Sequence, residues 1–197
     1  MKFFNEAILS IKNSARELKS TRAITMISLL IAINIVLGNT LKFYVTPTDK
    51  IGIGFLTVAT IGNLFGAVPA MMAGMIQDIL KWIIRSEGAY FPGFTLSAIL
   101  GGFFAGLTLY KKEVSIFRCI AERLSISVFI NILLNSLWKL IYFGNKHYLA
   151  YVSVATVKAL ILLPFEIIIL YIFLTKVIAP IKKQFFKSDC QNISKRR

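Results

Sequence analysis

The chain has 197 residues, 56% of them apolar and only 16% charged, with a mean hydropathy of +0.71. Sixteen phenylalanines beside so few charges exclude a disordered chain, and two cysteines exclude a disulfide scaffold. A domain this small could not bury so much apolar surface away from water, which leaves an integral membrane protein. The net charge of +14 fits that class, because 16 of the 23 Lys and Arg fall in residues 1–22, 111–123 and 176–197, beside apolar runs. That distribution follows the positive-inside rule with anionic lipid as the counter-charge, and no nucleic-acid partner is called for.

Residues 1–22 read as a basic cytoplasmic segment. Phe4, Ile8, Ile11, Ala15 and Leu18 form an amphipathic stripe, so residues 3–18 are expected to lie flat at the inner interface or to form a partly ordered tail. No apolar core or small-residue cleavage site marks a signal peptide. Ala23 to Leu41 is uncharged and forms the first span. The stretch from Ile51 to Arg85 has 35 residues, long for one helix and short for two. Charge parity decides for two crossings, because only then do Lys111, Lys112, Arg118, Arg123 and the basic tail all fall inside. The break is expected around residues 62–66, before Pro69, with Gly62, Gly66, Gly102 and Gly106 read as close-packing positions.

The expectation is an all-α membrane protein of six transmembrane helices with both ends cytoplasmic. The spans are about 23–45, 51–64, 66–86, 93–110, 119–143 and 149–176, the second too short to stand upright and expected to be bent or partly buried. The outer loops are 42–50, 86–92 and 143–148, and residues 179–197 form a basic cytoplasmic tail after a membrane domain at 23–178. Cys119 and Cys190 are expected as free cytoplasmic thiols.

Charges inside spans are costly, about 2.5–3.5 kcal/mol each on insertion scales, and so mark function. Asp78, Lys81 and Arg85 share one face of the third span; Asn131, Asn135 and Lys139 share one of the fifth, beside Trp138. Lys158 and Glu166 lie in the sixth, and Asn34 in the first. These residues outline a polar cavity that opens outward and suits an anionic, hydrogen-bonding ligand. The alternative is internal pairing of Asp78 with Lys81 or Lys158, with Arg85 and Lys139 reaching to the interface. Glu166 reads equally as a helix-packing acid. Trp82, Tyr90, Phe91, Phe94, Trp138 and Tyr142 form an aromatic belt or a stacking platform for a flat ligand. With a single histidine, His147, and no phosphate-binding loop, neither a catalytic metal site nor a nucleotide engine is expected in this chain.

The run Ser86-Glu87-Gly88-Ala89-Tyr90-Phe91-Pro92-Gly93-Phe94-Thr95-Leu96-Ser97-Ala98 resembles the signature of folate-family S components of energy-coupling factor (ECF) vitamin transporters. Ile33 to Leu37, Thr46-Pro47-Thr48, Ile51 to Leu56, Leu64-Phe65-Gly66, Tyr110-Lys111-Lys112, Leu133 to Trp138 and Val157 to Leu160 agree in order, over about residues 20–178. Thr57 and Ala67 stand where the family pattern has proline.

The resemblance implies a six-helix substrate-capture subunit of the prokaryotic plasma membrane, with no enzymatic activity and no cofactor. Its partners would be folate, a membrane scaffold subunit, two ATP-binding subunits and the bilayer. On this reading Lys158 and Arg85 face folate's carboxylates, while Asp78 and Asn135 engage its hydrogen-bonding edges. Phe94 and Trp138 flank the flat ring, and Tyr90, Phe91, Pro92 and Gly93 form part of an outer lid. Ser28 and Ala32, four apart on the first span, would let the scaffold approach closely; packing within the bundle is the alternative. Competing functions are capture of another vitamin, pantothenate or a pterin-like compound, and a stand-alone proton-coupled transporter using Asp78 and Glu166.

Overall fold

The computed structural model describes the backbone of residues 2–40, 43–46, 49–51, 54–84, 89–144 and 148–182, and side chains within these ranges from residue 9 to 38 and from residue 54 onward. Helices dominate: α1 (Lys2–Glu17), α2 (Thr21–Thr40), α3 (Gly54–Phe65), α4 (Ala67–Ile84), α5 (Pro92–Leu109), α6 (Ile116–Phe143) and α7 (Tyr148–Lys182). The first span ends at Thr40, earlier than expected. Part of the predicted outer loop 42–50 is instead a short antiparallel hairpin, β1 (Phe43–Thr46) with β2 (Asp49–Ile51), Phe43 opposite Ile51.

Among the described residues five helices, α2 and α4 to α7, are long and apolar enough to cross a membrane. The sixth, α3, has 12 residues, about 18 Å at the helical rise, against a hydrocarbon core of about 30 Å. It lies inside the bundle, with Leu56, Ala59, Ile61, Leu64 and Phe65 buried. Lipid-facing surfaces run along α7, where Leu149, Leu160 and Phe165 are exposed.

The predicted break falls at Gly66, whose φ of +91° suits only glycine. A Cβ there would also stand 2.7 Å from the Ser14 side chain. Glycines set the helix spacing elsewhere. A Cβ on Gly106 would come within 2.2 Å of Ala67 Cα, and one on Gly102 within 2.3 Å of the Ala70 carbonyl oxygen. Backbones of α4 and α5 thus approach as closely as the small-residue spacing predicts.

The N-terminal segment is helical, and Ser14 and Glu17, which are not part of the apolar stripe, fasten it to the bundle. Buried Ser14 Oγ accepts the Val68 N–H at 2.8 Å, one of the otherwise unpaired donors in the first turn of α4. Tyr110 Oη donates to Glu17 Oε1 at 2.9 Å, and Lys111 Nζ lies 3.0 Å from the same oxygen. At this end Asn63 Nδ2 donates to the Leu109 carbonyl at 3.0 Å. Cys119 is a buried free thiol, while Cys190 lies outside the described residues.

A cavity framed by all six apolar helices

A cavity of about 780 Å³ lies among α2 to α7, within the size range of small-molecule sites. Three kinds of surface meet in it. The first is aromatic. The segment before α5 places Tyr90 and Phe91 on the wall, with Phe94 from the first turn of α5 and Tyr142 from α6. Phe91 packs edge-on against Phe94 and Tyr142 at centroid distances of 5.7 and 6.0 Å. Trp138 backs this wall without lining it: its ring is 5.8 Å from Phe91, and its Nε1–H donates to Ser97 Oγ at 3.1 Å. Pro92 opens α5, where its fixed φ suits the first helical position. Gly93 leaves room for the rings, since a Cβ there would sit 2.3 Å from Phe91 and 2.6 Å from Trp138.

The second surface is a chain of polar bonds. Thr95 Oγ1 donates to Asp78 Oδ2 at 2.7 Å, which uses its single hydroxyl proton. The 2.7 Å contact between Tyr90 and Thr95 therefore has the phenol as donor. From α2, Asn34 Nδ2 donates to Gly54 O at 2.9 Å, to Gln77 Oε1 at 2.7 Å and to Thr57 Oγ1.

The third surface is charged. Arg123 Nη2 pairs with Glu166 Oε2, joining α6 to α7, and the Phe55 ring lies 4.3 Å from the guanidinium. Glu122 is fully buried beside it. Lys81, Lys139 and Lys158 complete the lining. Residues Ile126–Leu134 of α6 are wound as a π-helix, and Ile126, Ser127, Ile130 and Asn131 of that stretch line the cavity. Such wide turns occur frequently at functional sites.

Of the residues singled out in the sequence, Asp78, Tyr90, Phe91, Phe94, Asn135 and Lys158 line this one cavity. Trp138 and Gly93 back its wall, Pro92 opens α5 without lining it, and Arg85 lies outside the described residues. Ser28 and Ala32 are exposed on α2. Arg123, expected at the inner end of the fifth span, is 4% exposed within the bundle, where it pairs with Glu166 of α7. Sequence reasoning also missed Gln77, Glu122 and Ser97 as lining residues. A signal for Arg123 existed, since an acid mid-span in α7 demands a cation.

Fold and site together define a membrane-embedded helical bundle built around a ligand-sized cavity with aromatic, amide and charged walls. Residues 22–174 match the family described as ECF transporter, substrate-specific component, and the chain belongs to that family. It is 34% identical to the folate transporter FolT of Clostridium novyi (strain NT) over 154 residues, 78% of this chain and 88% of that protein. It is 26% identical to a FolT of Leuconostoc mesenteroides over 172 residues, 84% of this chain and 92% of that one. A crystal structure of FolT bound with folic acid superposes with a TM-score of 0.70 at 33% identity, covering 77% of this chain and 90% of that one.

Proposed function

We propose that this chain captures folate at the outer face of the cell membrane and delivers it inward as the substrate subunit of an ATP-driven importer. A membrane scaffold subunit and two ATP-binding subunits would be its partners. The carrying observation is that one cavity joins an aromatic wall to amide and cationic groups. Folate demands that combination, because its pteridine is flat and rich in donors and acceptors while its glutamate tail carries carboxylates. Lys158, with Arg85, meets the carboxylates. Asp78 and Asn135 meet hydrogen-bonding edges, and Phe91 and Phe94 cover the ring with Trp138 behind them. Tyr90 to Gly93 serve as part of the lid. Ser28 and Ala32 present a small-residue surface for the scaffold.

Purified protein titrated with folic acid by calorimetry tests this. Saturable one-to-one binding and a co-purifying pterin absorbance are expected. Binding of pantothenate with none of folic acid would sink the assignment.

A further inference from the structure

Five buried polar atoms on cavity-lining residues have no hydrogen-bond partner among the described residues: Glu122 Oε2 and Arg123 Nε beside the Arg123–Glu166 pair, Asn135 Oδ1, and, on two amides bonded to each other, Asn34 Oδ1 and Gln77 Nε2. Asn34 and Gln77 are 1% and 2% exposed, and both line the cavity. The two amides are already joined, Asn34 Nδ2 to Gln77 Oε1, yet the reciprocal bond from Gln77 Nε2 to Asn34 Oδ1 is not made. Asn34 is held in place by Gly54 O and Thr57 Oγ1, so its free oxygen has a set direction. Glycine at 54 keeps that oxygen open, since a Cβ there would lie 2.9 Å from it. A buried, unpaired donor and acceptor cost free energy unless a ligand satisfies them.

Resting on the folate reading, we propose that Asn34 and Gln77 form the subsite that reads the ring end of the ligand. They take an edge with a hydrogen-bond donor beside an acceptor, one to Asn34 Oδ1 and the other to Gln77 Nε2. An open-chain trans amide points its N–H and C=O to opposite sides and cannot offer both to one wall. A ring lactam or an amino group beside a ring nitrogen can, and the 2-amino-4-oxopteridine ring has such edges. The p-aminobenzoylglutamate tail has none, so the tail turns away from α2 and α4.

The test compares the parent with Gln77→Met, which leaves Asn34 Nδ2 its bonds to Gly54 and Thr57. Folic acid is titrated directly, and pterin and p-aminobenzoylglutamate are titrated as competitors, with pteroic acid in place of pterin if pterin displaces too weakly. Folic acid and the ring compound should each weaken by about tenfold or more, while the tail fragment shifts by less than about twofold. Unchanged folic acid binding, equal weakening of all three ligands, or a loss confined to the tail fragment would overturn the assignment. If thermal unfolding shows that Gln77→Met has lost its fold, Gly54→Ala takes its place, with the same pattern expected. A parent protein that binds no pteridine overturns the folate reading and this subsite with it. A parent that binds folic acid, with the wrong fragment pattern in the variant, overturns the subsite alone.

Discussion

Arg123 illustrates how much of the cavity depends on single side chains. Its guanidinium faces Glu166 with Glu122 adjacent, so two acids and one cation meet on the cavity wall. Removing one partner of a buried pair leaves an uncompensated charge and costs about 3–5 kcal/mol. Arg123→Ala should therefore sharply lower the unfolding temperature in detergent. The double change Arg123→Met with Glu166→Met should recover part of the loss, because the uncompensated Glu166 leaves while Glu122 still lacks its cation. For ligand binding, Lys158→Ala and Asp78→Ala should each weaken folic acid by about tenfold, with expression retained, since a charge-assisted hydrogen bond contributes about 1.5–3 kcal/mol. Calorimetry on the purified variants checks this, and parent-like binding in both would remove these residues from the site. Asp78 and Lys158 were legible in the sequence because a charge in a span needs a reason. Gln77 was not, because an uncharged amide at the end of an apolar run gives no such warning.

Helix elements meet here through missing side chains. Gly62, Gly74, Gly102 and Gly106 all stand where a Cβ would strike a neighbouring backbone atom within 2.2–2.8 Å. Backbone cannot move aside as a side-chain tip can, so the helices would have to separate. Gly102→Val or Gly106→Val should destabilise by more than the usual overpacking cost of about 1–3 kcal/mol, and yield of folded protein should fall. Gly101→Ala is the control: the nearest atom to its Cβ is Ile130 Cδ1 at 3.8 Å, and the unfolding temperature should hardly move. The glycine spacing made this packing readable in advance, but which helices it joined was not, because spacing names a face and not its partner. The π-wound stretch of α6 had no sequence signal at all. It turns Ser127, Ile130 and Asn131 toward the cavity, a choice made by packing against α5 and α7.

Across the whole molecule, α1, the α3–α4 junction at Gly66 and the Tyr110–Lys111 corner gather at one end of the bundle. Lys111 and Lys112 are exposed there. Charge placement then predicts that reporters attached at Lys112 and at the C-terminus both read cytoplasmic; an outside signal at either refutes the topology. Ser28 and Ala32 remain open on α2, so replacing both with Trp should leave folic acid binding intact while abolishing uptake in cells that carry the partner subunits. Normal uptake would exclude this face as the docking surface.

Composition and periodicity alone determined the membrane class, the number of apolar helices and the break before α4. These follow from the lipid environment, which penalises every exposed charge and unpaired backbone group and so writes its demands along the chain. The resemblance carried by Tyr90 to Ala98 added the family. Only the tertiary structure decided that Arg123 belongs to the cavity and that Asn34 meets Gln77. Each is a contact between distant segments, 43 residues apart for Asn34 with Gln77 and likewise for Arg123 with Glu166. A local pattern reports the cost of burying a group, while the partner that offsets it is set by how the helices pack.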